Sequence, residues 1–162
     1  MVEAVEIEVN EKGAKQSKIK IRFDLIDSRV FDQLTKPKYQ PYSSVLRKCM
    51  SDLHRACTLL RSEYSDYSDI LDCIESALHA LSSGKATEVF KICAEVMYEG
   101  ALKYGEDNWK SIEPASHLNH ALNHLYLYED GDQSEAHKAH AVCRMYMAYA
   151  CIVSQVMTDE SI

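Results

Sequence analysis

Apolar residues recur at helical spacing through most of the chain. Runs of this kind cover residues 45–60, 67–81 and 86–101, a fourth begins after Pro114, and a fifth extends over 134–157. Spacings of three and four residues place the apolar side chains on one face of each helix. The pattern therefore predicts five amphipathic helices.

Short polar segments rich in glycine separate these helices. Ser82-Ser83-Gly84 stops the second helix, and the third ends near Gly105. The acidic segment 129–133, centred near Gly131, joins the fourth helix to the fifth. Because this turn is tight, the last two helices are expected to pack antiparallel.

The N-terminal region has a different period. Residues 5–9 and 19–25 alternate between apolar and charged side chains, which is typical of half-buried strands. A short β-hairpin over residues 10–17 fits this pattern. We therefore expect a mainly α fold, a helical bundle with a short N-terminal β-hairpin, in a single domain over 1–162.

Composition narrows the class of protein. The net charge of −7 argues against a surface that coats nucleic acid, since phosphate backbones are held by clustered cations. No apolar run approaches the roughly 20 residues needed to cross a bilayer, and acidic residues follow Met1. The six cysteines include no CxxC pair and lie among apolar residues. We expect a cytoplasmic protein with no membrane and no nucleic-acid partner.

Histidines are concentrated in the last two predicted helices, where five of the seven fall between His117 and His140. Counting outward from the turn places His124 opposite His137 and His140. Imidazoles that face one another across a helix pair are typical of a metal site. The alternative is that these histidines are hydrogen-bonded parts of the core.

Carboxylates lie near these histidines. Asp130 and Asp132 belong to the turn, and Glu95 and Glu99 are one turn apart on the third helix. If the third helix packs beside the last two, its glutamates complete a metal site. They are equally compatible with the solvated edge of an amphipathic helix.

The end of the third helix carries residues suited to a nucleotide. Lys103, Tyr104, Asn108 and Trp109 follow one another closely on an irregular segment that contains the only tryptophan. An aromatic ring can stack on a base, and lysine can neutralise a phosphate. The alternative is a glycine-capped helix end with Trp109 filling the core.

Several motifs together resemble the MazZ-like dATP/dGTP diphosphohydrolases of phages. They are GA-x-KYG-x-x-NW at 100–109, HL at 124–125 and, after the acidic turn, H-x-x-HA at 137–141. Upstream, GAK at 13–15 and RFDLI at 22–26 resemble the basic segment that opens such proteins. The resemblance covers about 13–26 and 95–150, and it leaves 40–85 as a helical insertion.

The resemblance implies a MazG-like all-α pyrophosphohydrolase that forms a homo-oligomer. Its substrates would be dGTP and dATP, cleaved between the α and β phosphates to the monophosphate and pyrophosphate with Mn²⁺ or Mg²⁺. In phages that replace adenine with 2-aminoadenine, the reaction would supply dGMP and deplete dATP.

The residues that match the motifs, with the nearby acidic and basic ones, form the expected site. The expected metal ligands are Glu95, Glu99, His124, Asp132, His137 and His140. Catalytic roles are expected for Glu95, Glu99 and His124. The expected substrate-binding residues are Lys15, Lys18, Lys103, Tyr104, Asn108, Trp109 and Arg144.

Two other classes of function remain open. One is a non-enzymatic helical module that binds a partner protein, with structural histidines. The other is a house-cleaning pyrophosphohydrolase that acts on other nucleotides.

Overall fold

The computed structural model describes residues 6–39, 42–63 and 65–160 and shows a mainly α protein. The helices are α1 (Ser28–Leu34), α2 (Ser44–Arg61), α3 (Tyr67–Ser82), α4 (Ala86–Tyr104), α5 (Pro114–Glu129) and α6 (His137–Glu160). Two strands, β1 (Ile7–Val9) and β2 (Lys15–Ser17), pair antiparallel as an N-terminal hairpin. The predicted fold class is confirmed. In the described part of the chain, no helix has the length and hydropathy needed to span a membrane.

Local sequence signals explain where the helices begin and end. The side chains of Asp27, Ser43 and Asp66 each accept a hydrogen bond from a backbone N–H in the first turn of α1, α2 and α3, respectively. Such N-caps satisfy donors that the helix itself leaves unpaired. Gly84 and Gly105 adopt φ values of 76° and 96° just after α3 and α4, a conformation that suits glycine.

The five long helices share one core. Helix α5 packs on α6, α2 packs on α3, and α6 also contacts α3 and α4. Residues 40–85, predicted as an insertion, supply α2 and α3, and Leu53 and Ile74 of this segment are fully buried with Leu122 and Ile152. The segment is therefore an integral part of the core that supports α5 and α6.

The second predicted strand, over 19–25, is wrong. The paired strand ends at Ser17, and Ile21 and Leu25 are 56% and 58% exposed. The side chain of Asn119 on α5 donates to the Ile21 carbonyl at 3.1 Å and accepts from the Asp24 N–H at 3.3 Å. This amide satisfies backbone groups that a strand partner would otherwise engage.

Two further differences from the prediction concern helices α1 and α6. Helix α1 was not predicted, because it is short and only Phe31 is buried on it. Helix α6 begins at His137, three residues later than expected. Val5, placed in the first predicted strand, lies outside the described residues.

Candidate active site

A cleft of about 450 Å³ lies between the hairpin, the C-terminal half of α4, and the facing surfaces of α5 and α6. Most of the residues predicted from the sequence line it. They are Lys15, Glu99, Lys103, Tyr104, Asn108, Trp109, His124, His137, His140 and Arg144. Residues from distant parts of the chain thus meet around one cavity.

Three side chains at one end of the cleft can hold a metal ion: His124, Glu135 and His137. The two Nδ1 atoms of the histidines are 3.0 Å apart, and Glu135 Oε1 lies 3.2 Å from His124 Nδ1 and 3.7 Å from His137 Nδ1. Ligand atoms at about 2.1 Å from one cation are about 3.0 Å apart in an octahedron and about 3.4 Å apart in a tetrahedron. The separations observed here suit both geometries.

Asp132 orients one of these histidines. Its carboxylate accepts a short hydrogen bond from Nε2 of His137. The proton of the ring is therefore on Nε2, and the lone pair of Nδ1 faces His124 and Glu135. Carboxylate–histidine pairs of this kind fix the ring and raise its basicity as a ligand. The Nδ1 of His140, 2.9 Å from Glu135 Oε1, similarly positions that carboxylate.

The charge states of the cluster suit a cation. Burial lowers the pKa of His124 to about 4, although the charge of Glu135 works in the opposite direction. Burial also disfavours the charged form of Glu135, but the hydrogen bond from His140 and the neighbouring histidines hold its pKa below the usual value. At neutral pH the cluster therefore offers an uncharged imidazole and a carboxylate, the forms that bind metals.

Arg144 lies on the wall of the same cleft. Its Nη1 donates to Gln16 Oε1 at 2.9 Å and to His117 Nδ1 at 3.0 Å, and its Nη2 donates to His120 Nδ1 at 3.2 Å. Burial lowers the pKa of Arg144 to about 10, so the guanidinium remains charged at neutral pH. The cleft thus combines a candidate cation site with a fixed positive charge.

Asn108 fixes the hairpin against the end of α4. Its side-chain Oδ1 accepts from the Lys15 backbone N–H at 2.7 Å, and its Nδ2 donates to the Lys15 carbonyl at 2.6 Å. The amide thereby takes the place of a paired strand and holds Lys15 at the rim of the cleft. Trp109 and Tyr104, which also line the cleft, are only partly buried.

Three predicted residues do not line the cleft. Asp132 stands behind His137, as described above. Glu95 is exposed on α4, away from the cleft and the metal cluster. Lys18 is exposed and forms an ion pair with Glu6 at 3.8 Å.

Sequence reasoning missed Glu135 and Gln16. Glu135 lies two residues before His137, and this proximity was the only signal that could have indicated it. Gln16 is separated from Arg144 by 128 positions, and no motif connects them.

The C-terminal half of the chain matches a known family. The family model described as "dATP/dGTP diphosphohydrolase, N-terminal" matches residues 76–161, a segment that begins within α3 and includes α4, α5 and α6. A comparison with curated proteins and one with solved structures each found no match. The matched segment contains the histidine cluster, Arg144 and the Trp109 region, and it covers more than half of the 162 residues. The chain therefore belongs to the dATP/dGTP diphosphohydrolase family, a family of hydrolases.

Proposed function

We propose that this cleft hydrolyses dGTP and dATP to the deoxynucleoside monophosphate and pyrophosphate with a divalent cation. The observation that carries the proposal is the presence, in one cleft, of a candidate metal cluster and a charged arginine. Membership of the family supports the same class of substrate. On the resemblance given above, we further propose that the reaction supplies dGMP for 2-aminoadenine nucleotides and depletes dATP during phage infection.

The residues of the cluster fit a divalent cation held by His124, Glu135 and His137. When bound, the cation would neutralise phosphate oxygens and lower the pKa of an attacking water. Two imidazoles among three ligands favour Mn²⁺ over Mg²⁺, which prefers oxygen ligands.

The remaining residues of the cleft would bind and orient the nucleotide. Arg144 and Lys103 would hold the phosphates, and Tyr104 and Trp109 would contact the sugar and base. Glu99 and His140 are in the same cleft as the candidate acceptors of a proton from water. As the water oxygen bonds to the α phosphorus, the bond to the bridging oxygen breaks and pyrophosphate leaves.

A substrate panel tests this proposal. We expect pyrophosphate release from dGTP and dATP with Mn²⁺, at a kcat/KM at least about ten times that for dCTP and dTTP, which corresponds to about 1.4 kcal/mol. Excess EDTA should stop the reaction. If no nucleotide releases pyrophosphate, the cleft belongs to an interaction module instead. If ribonucleotides or pyrimidines are the best substrates, the house-cleaning alternative is correct.

We also propose that the protein forms a homo-oligomer through the outer face of α4. Phe90, Tyr98 and Leu102 are 60%, 67% and 74% exposed there and spread over about 120° of the helix circumference. Phe90→Glu should therefore lower the mass measured by light scattering after size-exclusion chromatography. The matched control is Tyr39→Glu, which changes an exposed aromatic residue elsewhere and should leave the mass unchanged. A monomeric wild-type protein would contradict this assignment.

A further inference from the structure

Within the described residues, every hydrogen bond that Arg144 donates goes to an uncharged group. Gln16 offers an amide oxygen, and His117 and His120 each offer Nδ1. All three acceptors are buried. Within the described residues, Arg144 forms no ion pair with a carboxylate. This is unusual, because a partly buried guanidinium is ordinarily paired with a carboxylate.

Hydrogen bonding and burial keep His117 and His120 in the neutral form that accepts a hydrogen bond from Arg144. His117 Nε2 donates to the Trp109 carbonyl at 2.9 Å, so its Nδ1 carries the lone pair that faces Arg144. Burial and the neighbouring arginine lower the pKa of His117 to about 3 and that of His120 to about 2. Neither ring can become a competing cation at neutral pH, and neither can neutralise the arginine.

Gln16 lies between this charge and the carboxylate of Glu8. Its Nε2 donates to Glu8 Oε1 at 2.9 Å and to Ser116 Oγ at 2.8 Å, while its Oε1 accepts from Arg144. Glu8 is thus one hydrogen-bonded residue away from the guanidinium. If a glutamate stood at position 16, it would pair directly with Arg144.

The free edge of the guanidinium suits a phosphate. Both Nη1 donors and one Nη2 donor of Arg144 are used by the three acceptors, which leaves Nε and the second Nη2 donor without an acceptor in the described part of the chain. Two donors of the guanidinium thus remain for phosphate oxygens, which arginine commonly binds in pairs. On α5, His120 is one turn, or about 6 Å, from the metal-cluster residue His124.

We propose that Gln16, His117 and His120 are positioning residues that keep Arg144 an uncompensated cation for one phosphate group of the substrate. The proposal rests on the proposed function only for the identity of the natural ligand. The alternative is that the network serves only to attach the hairpin to α5 and α6. These two roles differ in what happens when a carboxylate is placed beside Arg144.

A double variant that exchanges two side chains separates the roles. In Glu8→Gln/Gln16→Glu the net charge is unchanged, and the new glutamate can accept from Arg144, from the new glutamine and from Ser116. The hairpin should therefore remain attached, with a melting temperature no lower than that of the wild type. Affinity for inorganic tripolyphosphate, measured by calorimetry in EDTA, should fall at least about ten-fold because the charge of Arg144 is neutralised.

The single variant Glu8→Gln provides the matched control. It removes a carboxylate whose charge acts on Arg144 and leaves Arg144 in place, so tripolyphosphate affinity should rise about three-fold. If the double variant fails to fold, the single variant is decisive. A rise in its tripolyphosphate affinity supports the proposal, and an unchanged affinity overturns it. Wild-type affinity in a folded double variant, or no binding by the wild type, would also overturn it.

Tripolyphosphate binding can be measured whether or not the protein hydrolyses deoxynucleotides. Tripolyphosphate binding that the exchange abolishes, in a protein that hydrolyses no deoxynucleotide, would support the positioning role and refute the proposed function. If the double variant retains both dGTP hydrolysis and tripolyphosphate binding, the proposed function is supported and the positioning role is refuted.

Discussion

The Glu135→Gln variant is expected to lose metal-dependent dGTP hydrolysis by about a thousand-fold while it keeps its fold. Glu135 Oε1 lies 3.2 Å from His124 Nδ1, and among the described residues Glu135 is the one carboxylate of the cluster. A bound cation stabilises the transition state by several kcal/mol, and about 4 kcal/mol corresponds to three orders of magnitude in rate. The side chain is 45% exposed, so its replacement should change stability little.

Direct binding of Mn²⁺ distinguishes loss of the metal from loss of a catalytic base. The wild-type melting temperature should rise with Mn²⁺, whereas that of Glu135→Gln should not. Glu129→Gln, an equal change of charge at the exposed end of α5, is the control and should behave as the wild type. An active Glu135→Gln variant together with an inactive Glu95→Gln variant would instead favour the assignment made from sequence spacing.

Lowering the pH from 7 to 5 should destabilise the protein by roughly 6 kcal/mol through three buried histidines. Burial lowers the pKa of His54 to about 4, that of His117 to about 3 and that of His120 to about 2. Between these values and about 6.5 only the unfolded chain binds the three protons, so stability present at pH 7 is lost as the pH falls. Each histidine accounts for about 2 kcal/mol at pH 5, against a total stability of about 5–15 kcal/mol.

Urea unfolding at pH 7, 6 and 5 in EDTA measures this loss. His54, which does not line the cleft, is in contact with the Tyr126 hydroxyl through Nε2 at 2.7 Å. Although His54→Gln will lower the stability itself, it should reduce the slope of unfolding free energy against pH by about one proton, or 1.4 kcal/mol per pH unit near pH 5. His79→Gln alters an exposed residue on α3 and should leave the slope as it is. Stability that does not change between pH 7 and 5 would contradict the assignment of these histidines as buried and neutral.

The helices were predictable because their burial is periodic. The runs that contain Leu53, Ile74 and Leu122 place apolar residues on one face, and packing in the core preserves that pattern. The relative position of α5 and α6 was also predictable from the sequence, because the short turn after α5 places His124 near His137. In the structure the Nδ1 atoms of these two histidines are 3.0 Å apart. Local spacing and a tight turn thus accounted for two of the three residues of the cluster.

Features that depend on packing outside a single helix could not be predicted from the sequence. Glu135 precedes α6, whereas the spacing placed it in the first turn of the fifth helix, and nothing singled it out as a residue that faces the histidines. Residues 19–25 alternate as a strand does, but the Asn119 side chain binds the backbone there. Glu95 and Glu99 are equivalent in the helical pattern, and only the packing of α4 directs one of them toward the cleft.

The two halves of the cleft differ in how they can assemble during folding. His124 and His137 are 13 positions apart on a helical hairpin, so the cluster can form from local structure soon after α5 meets α6. Gln16 and Arg144 are 128 positions apart, and Asn108 and Lys15 are separated by 93. These contacts require the N-terminal hairpin to find helices that are already packed, at a larger loss of chain entropy. We therefore expect the side of the cleft that carries Arg144 to be completed last, when the N-terminal hairpin meets α5 and α6.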